Sequence, residues 1–306
     1  MIIVETLVQM TALVGLGALW RFAKPGRITV DSLRHAITDL VFYLLLPALV
    51  LRVLWQAEVG FQSLRISAVA SSSILAAMLF SWLACKSCRA EKRITGAAIL
   101  AASFANVTYL GLPVITSALG AWAASIAIQY DLFSSTPLLF TLGMLLAAYF
   151  GQAKEEIHPL RQLVGIPALW AALVAVILNL AMAPMPTMLE AVLRLLENGI
   201  VPLMLIAIGL SLEWRGLQRN ALGPLLMVIV VQLILMPLFV WGISGFFDFS
   251  QEQQLALVLE AAMPSMVIGL MICEHYNLDT AFYAAAVTLS TILSIVTLPY
   301  WFIILS

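Results

Sequence analysis

Apolar runs of roughly 20 residues follow one another along nearly the whole chain, which leaves few folds open. Lipid offers no water to pair with backbone N–H and C=O groups. A segment of that length therefore crosses as a helix that satisfies its own backbone. Ten crossings are expected, at about 1–20, 36–55, 66–85, 95–118, 122–150, 163–182, 188–212, 221–247, 253–274 and 280–304. Residues 1–20 lack the basic start and small-residue cleavage site of a signal peptide and are read as the first membrane helix. The fold class is an all-α integral membrane protein. A hydrophobic fraction of 63% against 10% charged residues supports that class, and the net charge of −1 offers no basic surface for nucleic acid.

Two of the runs are interrupted. Asn106-Val-Thr-Tyr-Leu-Gly-Leu-Pro113 lies in the fourth, and Ala261-Ala-Met-Pro264-Ser-Met lies in the ninth. A proline removes a backbone donor and clashes with the carbonyl four residues back. The freed groups are tolerated only in protein or beside a polar cavity. Broken helices at corresponding places in two halves point to a transporter's substrate site. Spans four and nine are expected to be non-helical near 109–113 and 262–265, and to cross near the midplane.

Basic residues fix the orientation, because cytoplasmic loops carry the excess of Lys and Arg. Loops on one side of a ten-span chain hold 12 of them, including Arg21, Lys86, Arg93, Lys154, Arg161, Arg215 and Arg219; the other side holds only Arg52, Arg65 and Arg194. A plasma (inner) membrane, multi-pass protein with both termini extracytoplasmic is expected. Proline spacing suggests a repeat: Pro47 and Pro113 are 66 residues apart, and Pro202 and Pro264 are 62 apart. Two five-helix repeats, 1–150 and 163–306, joined by a cytoplasmic linker at 151–162, account for this. Five is odd, so the second repeat is inverted.

Four stretches carry a family resemblance: Asn106-x4-Gly-x-Pro113, Pro202-Leu-Met-Leu-Ile-Ala-Ile-Gly-Leu-Ser-Leu212, Ala262-Met-Pro-Ser265 and Leu289-Ser-Thr-Ile-Leu-Ser-Ile-Val-Thr-Leu-Pro299. In that order they resemble the auxin efflux carrier family, whose bacterial members include permeases for malonate, malate and related acids. Sodium–bile acid symporters are more distantly similar. The resemblance implies inverted five-helix repeats, crossed broken helices four and nine, and a transport domain that moves, elevator-like, against a scaffold. It also implies a substrate role for the asparagine of the first motif, carried here to Asn106.

Candidate residues follow from the breaks. Helix N-termini after Pro113 and Pro264 bind anions through free N–H groups and the helix dipole. No Lys or Arg lies mid-span, so these ends are the expected source of positive potential. Asn106, Tyr109, Gly111, Pro113, Pro264 and Ser265 are the substrate-site candidates, with Thr116 or Ser117 as further hydroxyls. The competing structural roles are a helix–helix bond for Asn106, ordinary kinks for the prolines and a cap for Ser265. Asp131 and Glu260 are ion-coupling candidates, because a carboxyl deep in a span usually faces a cavity or a partner; the alternatives are a neutral, hydrogen-bonded structural acid for Asp131 and solvation near the outer surface for Glu260. Among weaker candidates, snorkelling accounts for Arg52 and Arg194 and a helix contact for Gln232, while Glu197 is expected to line the scaffold face or cap the outer part of span seven. Trp20, Trp55, Trp82, Trp214 and Trp301 fall near span ends, as interfacial indoles do.

The function expected is secondary transport of a small organic anion, a mono- or dicarboxylate, by alternating access. The alternatives are a sodium-coupled symporter of larger amphipathic anions and an anion channel or uniporter. An enzyme is not expected: no His-Glu-x-x-His, Gly-x-Ser-x-Gly or P-loop is present, and His35, His158 and His275 are scattered. Cys85-Lys-Ser-Cys88 has redox or zinc spacing but no second Cys/His pair, so no metal is expected. No cofactor is expected beyond a coupling proton or Na+. The partners are the substrate anion and the bilayer, with a homodimer left open.

Overall fold

A computed structural model gives the fold, and it describes residues 2–25, 28–57, 60–151, 164–211 and 221–306. Among these, every regular element is helical. In chain order they are α1 (Ile2–Ala23), α2 (Val30–Gln56), α3 (Phe61–Ser87), α4 (Lys92–Ser103), α5 (Val107–Leu119), α6 (Ala123–Phe150) and α7 (Pro167–Leu180). They continue with α8 (Thr187–Leu210), α9 (Leu222–Ser244), α10 (Gln251–Ala261), α11 (Gly269–His275) and α12 (Thr280–Leu305). Six of them, α2, α3, α6, α8, α9 and α12, are long and apolar enough to cross a membrane. The linker expected at 151–162, Arg161 included, lies outside the described residues from residue 152 onward. So do Trp214, Arg215 and Arg219.

Four of the prolines within helices do not end them. Pro47, Pro113, Pro137 and Pro237 each stand two residues after a five-residue π turn: Val41–Leu45, Val107–Gly111, Asp131–Ser135 and Val231–Leu235. A π turn accommodates one extra residue per turn, so it absorbs the misfit a proline ring creates with the preceding turn. In each case the residue before the proline still donates five back, as Leu112 does to Val107 and Met236 to Val231. The carbonyl four before Pro237 belongs to Leu233, and it accepts from Trp301 Nε1 at 2.9 Å.

This pattern corrects one expectation. The break in the fourth span is not at 109–113, where the chain is helical, but at Phe104–Asn106, ahead of α5. Pro113 is inside α5. The ninth span is interrupted where expected, between Ala261 at the end of α10 and Gly269 at the start of α11.

Two apolar cores lie on either side of these breaks. One is built from α2, α5, the first half of α6, α7, α8 and α10. The other is built from α3, α4, the second half of α6, α9, α11 and the first turns of α12. The outer surface carries exposed Phe22, Leu64, Tyr149, Leu195, Val296 and Ile303, which suits contact with lipid rather than water. Trp20 and Trp82 belong to that surface. Trp301 does not: it is buried and bonded to α9, and Trp55 donates to the Ala183 carbonyl at 2.8 Å. Their indoles are fixed by protein acceptors.

Candidate functional site

Phe104–Asn106 and Pro264–Met266 run antiparallel across one another. The Asn106 amide donates to the Pro264 carbonyl at 2.7 Å, and the Met266 amide donates to the Phe104 carbonyl at 3.0 Å. These two bonds bracket a bridge between Ala105 and Ser265. Extended backbone in a membrane protein needs every freed polar group paired. Here each broken helix supplies partners for the other.

Side chains complete the pairing. Gln232, in the π turn of α9, donates to the Met263 carbonyl at 2.7 Å. Tyr283 of α12 donates to the Met266 carbonyl at 2.8 Å. The Ser265 amide donates to Ser290 Oγ at 3.1 Å. Gly269 makes the Tyr283 contact possible, since a Cβ there would overlap the phenol oxygen. Gln232 therefore caps the break, a more specific role than the helix contact expected of it. Tyr283 carried no sequence signal, and Ser290, although inside the motif of span ten, carried none for this role, because the break they serve lies elsewhere in the chain.

The second half of the fourth span starts a new helix in this polar setting. Its first internal bonds run from the Leu110 and Gly111 amides to the Asn106 carbonyl, at 3.2 and 2.9 Å. The amides of Val107, Thr108 and Tyr109 precede those bonds and have no acceptor within the helix. They give α5 a positive end at the crossing. Asn106 holds the N-cap position and is 2% exposed, yet its side chain makes no capping bond. An asparagine there normally caps. Its amide is available for another partner.

Two carboxyls flank this same turn. Asp131, at the start of a π turn in α6, accepts from Thr108 Oγ1 and from Thr136 Oγ1, the latter at 3.0 Å. Glu260, in the last turn of α10, is 0% exposed and lies against Gly111, where a Cβ would overlap its carboxylate. Neither Glu260 oxygen has a hydrogen-bond partner among the described residues. That burial removes the alternative in which Glu260 is solvated near the outer surface. The buried Ser103 Oγ, Ser265 Oγ and Tyr109 hydroxyl also lack partners among the described residues. Asp131 and Glu260 are the only charged residue types among the buried described residues, and no Lys or Arg joins them.

The sequence candidates therefore fall into two groups. Asn106, Tyr109, Gly111, Pro264, Ser265, Asp131 and Glu260 lie at the crossing or on the helix turns that flank it. Pro113, Thr116 and Ser117 do not open a helix there, because α5 begins at Val107. Thr116 bonds its own helix, through the Leu112 carbonyl at 2.7 Å, and Ser117 is exposed. Arg52 and Glu197 form a bidentate ion pair at 2.5 and 2.7 Å between α2 and α8, so neither snorkels nor serves as a cap. Arg194 pairs with Glu190 one turn away. The hydroxyl partners of Asp131, Thr108 and Thr136, were missed as a set; their spacing of 23 and 5 residues from Asp131 has no motif.

A helical membrane bundle whose broken helices clip together beside buried carboxyls and unfilled polar atoms defines a membrane transporter. The chain belongs to the membrane transport protein family, whose model matches residues 2–302; this is the auxin efflux carrier family that the motifs indicated. It is 35% identical over 207 residues to an uncharacterized transporter of Methanothermobacter thermautotrophicus, an overlap covering 67% of each chain. It is 23% identical over 278 residues to the uncharacterized transporter YfdV of Escherichia coli, covering 87% of each.

Proposed function

We propose that the protein is a secondary transporter of a small organic anion, a mono- or dicarboxylate, held at the crossing of the two broken helices. The observation that carries this is the N-terminus of α5 opening beside buried polar atoms that lack partners: Ser103, Ser265 and Tyr109. The Asn106 side chain, not engaged in capping, joins them. Backbone N–H groups and hydroxyls suit a carboxylate, and they supply positive potential where no buried Lys or Arg does.

The same proposal includes ten crossings in two inverted five-helix repeats, both termini outside a plasma membrane, and elevator-like movement of the crossing against a scaffold. Support for the repeat is the antiparallel meeting of 104–106 with 264–266, each in the broken span of its half. Two buried carboxyls beside the crossing favour coupling to a cation over uniport.

Counterflow in proteoliposomes tests the substrate class. Vesicles loaded with unlabelled malonate should take up labelled malonate, and other short carboxylates should compete. Folded protein that exchanges no mono- or dicarboxylate from such a panel contradicts the proposal.

A further inference from the structure

The two carboxyls beside the first turn of α5 are held in opposite ways. Thr108 and Gly111 are three apart, one turn of the helix; Asp131 is bound at the first and Glu260 rests on the second. Asp131 has hydroxyl donors from Thr108 and Thr136, which match an ionised, acceptor-only group. Among the described residues Glu260 has no donor to either oxygen, and it is closed off from solvent. An ionised carboxylate left so is costly to bury, whereas a carboxylic acid carries its own donor and no charge.

We propose that Glu260 is the proton-carrying residue of the transport cycle and that Asp131 is its fixed anionic neighbour. The proposal rests on the transporter reading and deepens it by naming proton symport and its carrier.

The elements packed on α10 bring few titratable side chains toward Glu260. α5 brings Tyr109, and α6 brings Tyr130 and Asp131. Tyr130 is engaged with Ser73 at 3.0 Å. α12 brings Tyr283, bonded to Met266. α9 carries no titratable side chain across Leu222–Ser244. α3 brings Cys85 and Lys86 at its far end, and Arg65 near its start, paired with Asp248. On α10 itself Glu252 is in the exposed first turn. Among the described residues no cation on these elements neutralises Glu260, and an ionised Asp131, held one turn of α5 away, opposes a second negative charge there.

A substrate anion at the start of α5 would meet both carboxyls. With a proton on Glu260 it meets one negative charge, and gains an O–H donor. Proton and anion thus favour each other's binding, reciprocally by linkage. The proton enters from solvent when the crossing opens to one side and leaves to solvent on the other.

Infrared difference spectra of the lipid-reconstituted full chain read this without a substrate. The carbonyl stretch of a protonated carboxylic acid should be present at neutral pH, bleach at alkaline pH, vanish in Glu260→Gln and persist in Asp131→Asn. A wild-type spectrum without the band, or a Glu260→Gln spectrum that keeps it, overturns the assignment. Transport supplies the second arm, with malonate as probe and the membrane potential clamped at zero. One proton per anion concentrates malonate ~10-fold under a one-unit pH gradient, since one unit is a factor of ten. Glu260→Gln should reduce the ratio to 1. Gly111→Ala, which keeps the carboxyl but crowds it, should shift the pH at which the band bleaches; an unshifted band would place the proton elsewhere. A Glu260 band in a protein that moves no malonate sustains the proton site and counts against the substrate class alone.

Discussion

The carboxyl of Glu260 lies against the bare Cα of Gly111, so closely that a methyl group at residue 111 would occupy the same space. Both groups are buried. Gly111→Ala should therefore destabilise the protein by about 1–3 kcal/mol, the usual range for overpacking. Glu260→Ala in the same background should recover most of that loss in thermal unfolding. Equal losses in both backgrounds would mean the crowding is not with Glu260.

Ser265 separates a binding role from a structural one. Its hydroxyl is buried without a partner, so Ser265→Ala removes an unsatisfied group. Stability should stay level or rise by up to about 1 kcal/mol. Carboxylate exchange should fall, through weaker binding. If the melting temperature drops instead, the hydroxyl has a structural bond in the folded protein.

At the Pro237 kink, the Leu233 carbonyl is served by Trp301. Trp301→Phe should cost roughly 0.6–1 kcal/mol, the scale of interhelical hydrogen bonds in membrane proteins. Pro237→Ala restores an amide able to reach that carbonyl along the helix. In that background Trp301→Phe should cost less, and a thermal-melt double-mutant cycle measures the difference. Additive effects would show that the indole acts by packing alone.

Arg52 and Glu197 tie α2 to α8 in a partly buried, bidentate pair. Removing one partner leaves the other charge without its counter-ion. Arg52→Ala and Glu197→Ala should each destabilise more than half as much as the double variant, with a coupling of about 1–3 kcal/mol. A coupling near zero would make the pair a solvent-screened contact.

Cys88 is an exposed native thiol in the turn after α3, whereas Cys85 and Cys273 are buried. The proposed topology, with both termini outside, would make Cys88 cytoplasmic. An impermeant maleimide should spare it in intact cells and label it in inverted vesicles. Labelling in intact cells would turn the topology over.

How far the chain could be read depended on whether a structural cause was local. Pro264 announced its break because the residues around it are the ones that leave the helix. Pro113 misled, because the π turn at Val107–Gly111 absorbs the proline locally and keeps the helix going. The true break at Phe104–Asn106 contains neither Gly nor Pro. It is held open by bonds to residues some 160 positions away, which no local pattern encodes. Glu260 and Asp131 were legible from the cost of charge in a membrane. Their different fates were not, since Asp131 draws its hydroxyls from Thr108 and Thr136 and Glu260 draws none.

The antiparallel clip at Ala105 and Ser265 bears on how the molecule can move. Two interrupted helices look like two hinges, each free to bend. Here they are stitched to one another by Asn106 and Met266, and stitched outward to α9 and α12 by Gln232, Tyr283 and Ser290. Bending either break alone would strip several buried hydrogen bonds at once, at about 1 kcal/mol or more apiece. The interruptions are thus poor places to flex, and the proposed shift in access would carry all four half-helices as one piece.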